Sequence, residues 1–352
     1  MTSIIHMKNR LPNLFSKKRI YGAIFICLLI IGWMYWRELD TSSTTLNDLS
    51  WTKITLLYLG TGVLFMAMRD FAYMVRIRIL TEQKLSWKQA FNVIMMWEFA
   101  SAISPGVVGG STVAVFILEK EKIPLAESTT LVITTLILDN LFYILAIPIV
   151  WFSLSHNTLF PESMASLSAN GMVIFWIGYS ILVLINLILV ASIFYSPKLI
   201  GGLVNLLFRL PFLKKRKAAG DRYVADIKTA SANLKRKRTL FWIKLMVTTI
   251  WSWTSRFLVV NLVLAAFIPI GFGDHLLILA RQLIMWLGML VTPTPGGSGM
   301  AEIAFSSLFE DYIGSIGASA IALALIWRTL SYYPYLFVGL LILPRWLKKS
   351  NP

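Results

Sequence analysis

Charge is scarce in this sequence: Asp, Glu, Lys and Arg make up only 14% of its 352 residues, against roughly 25% in soluble domains. That scarcity leaves too little polar surface for a sizeable soluble domain. Cysteine is nearly absent as well. Cys27, the single one, excludes an internal disulfide framework and a cysteine metal cluster. The three histidines, His6, His156 and His275, fall at apparent span ends and loops, so none is placed for chemistry in mid-membrane. No small-residue cleavage site follows the first apolar run, which therefore reads as a retained anchor and not as a removed signal peptide. No nucleotide-binding motif is present. No cofactor is expected, and any uphill transport would need an ion gradient or a partner.

What fills the space is apolar. Hydrophobic residues account for 57% of the chain, and the mean hydropathy is +0.70. Runs long enough to cross a bilayer recur from end to end, the pattern of an all-α polytopic membrane protein with a single membrane domain over residues 1–352. The formal net charge is +16. It gathers between the apolar runs and not on one soluble face, which fits an anionic lipid surface and argues against nucleic acid as a partner.

Charge counting orients the runs. Residues 1–19 carry Lys8, Arg10, Lys17, Lys18 and Arg19 and belong in the cytoplasm. Residues 20–36 form the first span, and 37–50, with Glu38, Asp40 and Asp48, lie outside. Residues 54–75 return to a basic segment with Arg76, Arg78, Lys84 and Lys88. Residues 126–151 span outward to a loop, 153–170, that has no Lys or Arg. Residues 172–195 span inward to the strongest basic block, 198–238, and 240–268 span outward. Residues 318–343 bring the chain back to Arg345, Lys348 and Lys349. Both termini are therefore expected on the cytoplasmic side of a cytoplasmic (inner) membrane.

Two stretches do not fit a simple crossing. Ser104-Pro105-Gly106-Val107-Val108-Gly109-Gly110-Ser111 interrupts residues 87–122, and Pro293-Thr294-Pro295-Gly296-Gly297-Ser298-Gly299 interrupts 276–311. Proline and glycine at this density do not continue a helix. In lipid, irregular backbone survives only where protein buries it or where it lines a wet cavity. Each stretch is thus either a loop outside the membrane or the tip of a re-entrant hairpin. The parity of crossings favours hairpins, the first entered from the cytoplasm and the second from outside. Six spanning helices plus two oppositely oriented re-entrant hairpins result.

The hairpins resemble one another. Ile94-Met95-Met96-Trp97 precedes the first and Leu283-Ile284-Met285-Trp286 the second. Helices bearing Arg69 and Arg256 come before them, and helices bearing Asp139 and Arg328 come after. Repeat one, about 51–151, and repeat two, about 240–343, joined through 172–239, then form an inverted repeat. That is a recurring transporter plan; the alternative is chance similarity among apolar segments.

Pro295-Gly296-Gly297-Ser298-Gly299-Met300-Ala301-Glu302, with Arg328 in the next helix and Tyr332-Tyr333-Pro334 after it, resembles the transmembrane region of lysylphosphatidylglycerol synthases. The wider family is called flippase-like. Ser104-Pro105-Gly106-Val107-Val108-Gly109-Gly110 is similar to its earlier motif, although Ser111-Thr112-Val113-Ala114 is uncharged where the family commonly has a basic residue. The resemblance implies a protein that moves a phospholipid or lipid-linked headgroup between leaflets. The synthases carry a soluble aminoacyl-transferase domain after the membrane region, whereas this sequence ends at Pro352. The expectation is the lipid-translocating half or a stand-alone member, without synthase activity and with a separate synthase or transferase as a further partner.

The residues themselves supply a chemical rationale. Half-helices starting near Ser111 and Gly299 would aim their N-termini, with free N–H groups and about half a positive charge, at the membrane midplane. That is a phosphate-sized anion site. Intramembrane Arg69, Arg256 and Arg328 would add forks that suit phosphate oxygens. The competing reading pairs these arginines with Glu98, Asp139 and Glu302 as locks of the bundle, although buried membrane charges are costly and usually functional. Glu302, in the first turn after the glycines, would either cap its helix or serve proton coupling or headgroup-ammonium binding.

The candidate substrate-binding residues are therefore Arg69, Glu98, Pro105, Gly106, Gly109, Gly110, Ser111, Asp139, Arg256, Pro295, Gly296, Gly297, Ser298, Gly299, Glu302 and Arg328. No cluster of base, nucleophile or metal carboxylates marks an enzyme. A lipid transporter is the favoured class. The alternatives are a membrane-embedded lipid-modifying enzyme subunit and a non-transporting structural or regulatory membrane protein.

Overall fold

A computed structural model describes residues 49–104, 106–154, 159–161, 165–195, 217–290, 292, 294–314 and 320–348, with isolated positions between 22 and 36. Most of the expected first span, Cys27, Pro105 and much of the basic block 198–238 lie outside the described residues. Within them the chain is helical and has no strand. The elements are α1 (Lys53–Leu80), α2 (Trp87–Ile103), α3 (Gly106–Lys120), α4 (Leu125–Ser153), α5 (Ala165–Val190, continued by a π-helical turn, Ala191–Tyr195) and α6 (Lys217–Lys235). They continue as α7 (Thr239–Ala265), α8 (Phe272–Met289), α9 (Met300–Leu308), α10 (Glu310–Gly314), α11 (Ala320–Ser331) and α12 (Tyr333–Lys348).

Among the described residues five segments are long and apolar enough to cross a membrane: Lys53–Leu80, Leu125–Ser153, Val173–Tyr195, Thr239–Ala265 and Ala320–Pro344. They coincide with five of the six expected spans. The last is interrupted at Tyr332, because Pro334 has no N–H to donate back to the preceding turn. The four helices that flank the Pro-Gly stretches, α2, α3, α8 and α9, are not among the five.

Local chemistry starts and sustains these helices. Thr52 caps α1, its hydroxyl accepting from Thr55 N at 3.1 Å, and Ser86 with Gln89 forms a reciprocal capping box on α2. In α4 the hydroxyls of Thr130, Thr134 and Thr135 donate to carbonyls one turn back, which satisfies polar groups inside an otherwise apolar helix. Burial then sorts the spans. Only 17% of the most apolar window of Val173–Tyr195 is buried against 61% for Thr239–Ala265, so α5 is peripheral and α7 central. The apolar face that α5 leaves exposed, including Val173, Ile177, Ile181 and Ile188, is the kind of surface that lipid covers.

α1 and α7 run antiparallel along their whole length. Trp51 meets Phe267 edge-on at 5.6 Å, Thr55 Oγ1 donates to Ala266 O at 3.1 Å, Phe71 meets Trp251 at 5.9 Å, and Arg76 donates to Thr249 Oγ1 at 3.1 Å. Among the described residues three hydrophobic clusters fill the bundle. The largest draws on α1 to α4 and α7 to α12. A second joins α4, α5, α7 and α8, and a small third one joins Ile137 of α4, Ile193 of the π-helical turn and Leu234 of α6.

Candidate functional site

The arginines come to the site from α1 (Arg69 and Arg76), α7 (Arg256) and the last turn of α11 (Arg328). Arg69, Tyr73 and Arg76 stand at i, i+4 and i+7, one face of α1, and all three are buried. Both guanidinium carbons lie 4.6 Å from the Tyr73 ring centroid. Arg69 donates from Nη1 to Asp70 Oδ1 at 2.8 Å and to Tyr335 OH at 2.8 Å, and from Nη2 to Glu98 Oε1 at 2.6 Å. Arg76 takes Asp139 with both Nη atoms, at 2.5 and 3.3 Å. Trp253 Nε1 donates to the same carboxylate at 2.9 Å.

Arg76 is a correction to the sequence reading, which placed it in a basic cytoplasmic segment. α1 continues to Leu80, and that extension carries Arg76 inside the bundle, 5% exposed. Asp139 thus pairs with Arg76 and with none of the three arginines singled out from the sequence.

The second half is built differently. Arg328 Nε donates to Glu302 Oε1 at 2.8 Å, and its Nη2 donates to Gly296 O at 2.9 Å. The other oxygen of Glu302 accepts from Gly299 N at 2.6 Å. Glu302 is 1% exposed, so it caps α9 and neutralises Arg328 at once. The N-terminus of α9, expected to be open to an anion, is therefore occupied by the chain's own carboxylate.

The first half-helix also departs from expectation. α3 begins at Gly106 and not near Ser111, because Gly109 and Gly110 lie inside it. A Cβ at these positions would overlap Ser104 and Ser101, so the two glycines let α3 pack closely on α2. Gly296 serves a turn instead. Its φ of +57° suits glycine, and a Cβ there would overlap Tyr332. The Tyr332 hydroxyl donates to Ala102 O at 2.9 Å, which ties the break after α11 to the end of α2.

These parts enclose a cavity of about 270 Å³. Of the expected residues, Arg69, Glu98, Ser111, Asp139, Arg256, Gly296, Gly297 and Arg328 line it. Gly109, Gly110, Pro295, Ser298, Gly299 and Glu302 are not among its lining residues; Glu302 acts from behind through Arg328. Pro105 lies outside the described residues. Four guanidinium groups reach the cavity. Three have carboxylate partners, whereas Arg256 forms no hydrogen bond or ion pair among the described residues and lies over the Trp253 ring, 5.6 Å from its centroid. Beside it Tyr143 and Trp286 stack with centroids 3.4 Å apart. Among the described residues no group of three or more His, Cys, Asp or Glu side chains is placed to hold a metal ion.

Residues 20–339 match the family described as the lysylphosphatidylglycerol synthase TM region. The chain belongs to this family. It is a multi-pass membrane protein of a family whose name ties it to lipid metabolism. A protein of Archaeoglobus fulgidus named only as a UPF0104 membrane protein is 24% identical over 324 residues, which cover 87% of this chain and 93% of that one. No solved structure matches the chain.

In this member of the synthase TM-region family, the cavity also uses residues that sequence reasoning passed over: Tyr73, Arg76, Trp253 and Tyr335. A signal for two of them was present, since Tyr73 and Arg76 share the helical face of Arg69. Tyr335 has no such signal, because only the break at Tyr332 turns it toward α1.

Proposed function

We propose that this protein moves a phosphate-bearing phospholipid or lipid-linked headgroup between the leaflets of a cytoplasmic membrane, by transport and not by catalysis. Arg256 carries the reading. It is a guanidinium facing a cavity, with no carboxylate partner among the described residues, in a setting where unpaired charge is costly. A lipid phosphate would supply the missing partner with fork geometry that suits Arg. At about 270 Å³ the cavity suits a headgroup, with the acyl chains left in the bilayer.

The architecture supports alternating access. α1 and α7 pack antiparallel, and α1 packs on α11 as α7 packs on α4, as an inverted repeat requires. α3 has 15 residues and α9 has 9, shorter than the roughly 20 a span needs, which fits re-entrant arms. In this reading residues 20–36 add a sixth span, both termini are cytoplasmic, the basic segments rest on anionic lipid, and a separate synthase or transferase supplies the lipid.

Native mass spectrometry of the purified protein tests the headgroup site. Phosphate-bearing lipid should stay bound to the wild type and be lost from Arg256→Gln. Equal retention by the two proteins would reject the site.

A further inference from the structure

Counted over the whole cavity, the charges balance, yet one group of each sign is left over. Four guanidinium groups reach it, those of Arg69, Arg76, Arg256 and Arg328. Among the described residues the carboxylates that meet them are also four: Asp70, Glu98, Asp139 and Glu302. Because Arg69 serves both Asp70 and Glu98, three arginines hold all four carboxylates and Arg256 holds none. The site is therefore neutral as a whole but uneven inside.

Hydrogen bonding locates the negative end. Both oxygens of Asp70 accept from Tyr335, and both of Asp139 accept from Arg76. Glu302 divides its two between Arg328 and Gly299. Glu98 accepts at Oε1 alone, from Arg69. Its Oε2 is thus the one oxygen of the four carboxylates without a hydrogen bond among the described residues. Glu98 lines the cavity from α2, as Arg256 does from α7. Trp97, next to Glu98, lines it too, and the face of an indole attracts a cation.

We infer that the headgroup is zwitterionic: its phosphate meets Arg256, and a single ammonium group meets Glu98 Oε2 and the Trp97 ring. This deepens the transport reading given above and rests on its phosphate site. A phosphodiester with one ammonium group adds no net charge, so the site stays neutral when it is filled. An anionic headgroup would leave one negative charge over, and a headgroup with two ammonium groups one positive charge. Either surplus is expensive inside a membrane protein. The two ends of the bound headgroup also take hold of different helices, α7 and α2.

Lipid competition tests the charge preference. The purified protein is equilibrated with equal amounts of phosphatidylethanolamine, which is zwitterionic, and phosphatidylglycerol, which is anionic. Native mass spectrometry reads the bound lipids. The wild type should favour phosphatidylethanolamine by about ten- to a hundredfold, the effect of one charge-assisted contact. Glu98→Gln keeps an oxygen for Arg69 but loses the charge, and should bring the ratio to parity or below. Both lipids compete in one sample, so misfolded molecules that hold neither do not alter the ratio. A wild type that holds phosphatidylglycerol as well as phosphatidylethanolamine overturns the zwitterionic headgroup, whether or not the variant folds. A ratio unchanged in Glu98→Gln overturns it as well. Arg256→Gln decides the phosphate site separately. It should lose both lipids; retention of both at wild-type levels fails the phosphate site, and the zwitterionic headgroup with it.

Discussion

Glu302 holds two partners with its two oxygens: Arg328 Nε at 2.8 Å on one side and the backbone N–H of Gly299 at 2.6 Å on the other. One carboxylate thereby fixes the start of α9 and a guanidinium on the cavity wall. Because Arg328 also donates to Gly296 O, the Pro-Gly-Gly segment, the half-helix and α11 are joined through a single ion pair.

That arrangement predicts strong coupling between the two residues. Arg328→Gln strands a carboxylate that is 1% exposed. Stability should fall by about 3–5 kcal/mol, less whatever protonation of Glu302 recovers. The double variant Arg328→Gln with Glu302→Gln should regain part of the loss. Detergent melting of the single and double variants checks this; additive losses would show that the residues act independently.

Glycine substitutions should divide by backbone conformation. Gly296→Ala forces a side chain onto φ +57° and against Tyr332, which costs roughly 1–3 kcal/mol for the strain alone. Gly60→Ala, inside α1 with open space around it, should instead stabilise by about 0.5–1 kcal/mol. Melting points that move in the same direction for both would contradict the assigned turn.

Arg281 is a structural clamp away from the cavity. It donates to Leu159 O at 3.1 Å, to Leu308 O at 2.9 Å and to Asp311 at 2.6 and 2.8 Å. The bonds to the two carbonyls are buried, and Leu308 O closes the C-terminus of α9. Asp311 is nearly half exposed, so its ion pair contributes little. Arg281→Gln should lower stability by roughly 1.5–3 kcal/mol. Lipid retention per folded molecule, read by native mass spectrometry, should not change.

Topology is open to direct labelling. In a Cys27→Ala background, single cysteines at Phe272 and Glu310, both exposed, should react with a membrane-impermeant reagent on intact cells. Cysteines at exposed Lys84 and Lys122 should react only after lysis. Labelling of Lys122→Cys from outside would dissolve the first hairpin and the inverted repeat with it.

Much of this was legible because a membrane makes polar residues conspicuous. Arg69, Glu98, Asp139, Arg256, Glu302 and Arg328 stand out in apolar runs, and five spans follow from hydropathy. Pairing was not legible, since it depends on how helices pack. Arg76 looked like one more basic residue beside Arg78, Lys84 and Lys88, and only the continuation of α1 to Leu80 buries it against Asp139. Gly109 and Gly110 read as turn formers, yet they act as contact glycines inside α3. Gly339 gave no signal at all, although a Cβ there would overlap Phe99 where α12 crosses α2.

Arg256 remains the group on which the transport reading turns, and lipid movement in liposomes tests it most directly. A phospholipid with a fluorescent acyl chain is placed in both leaflets, and the outer leaflet is bleached by an impermeant reductant. Wild-type protein should carry inner-leaflet probe outward, so that bleaching runs past the outer-leaflet fraction. Arg256→Gln removes a charge-assisted contact worth roughly 1.5–3 kcal/mol and should slow that phase about ten- to a hundredfold at an unchanged melting point. Equal rates in the two proteins, or no wild-type movement of any phosphate-bearing lipid, would contradict it.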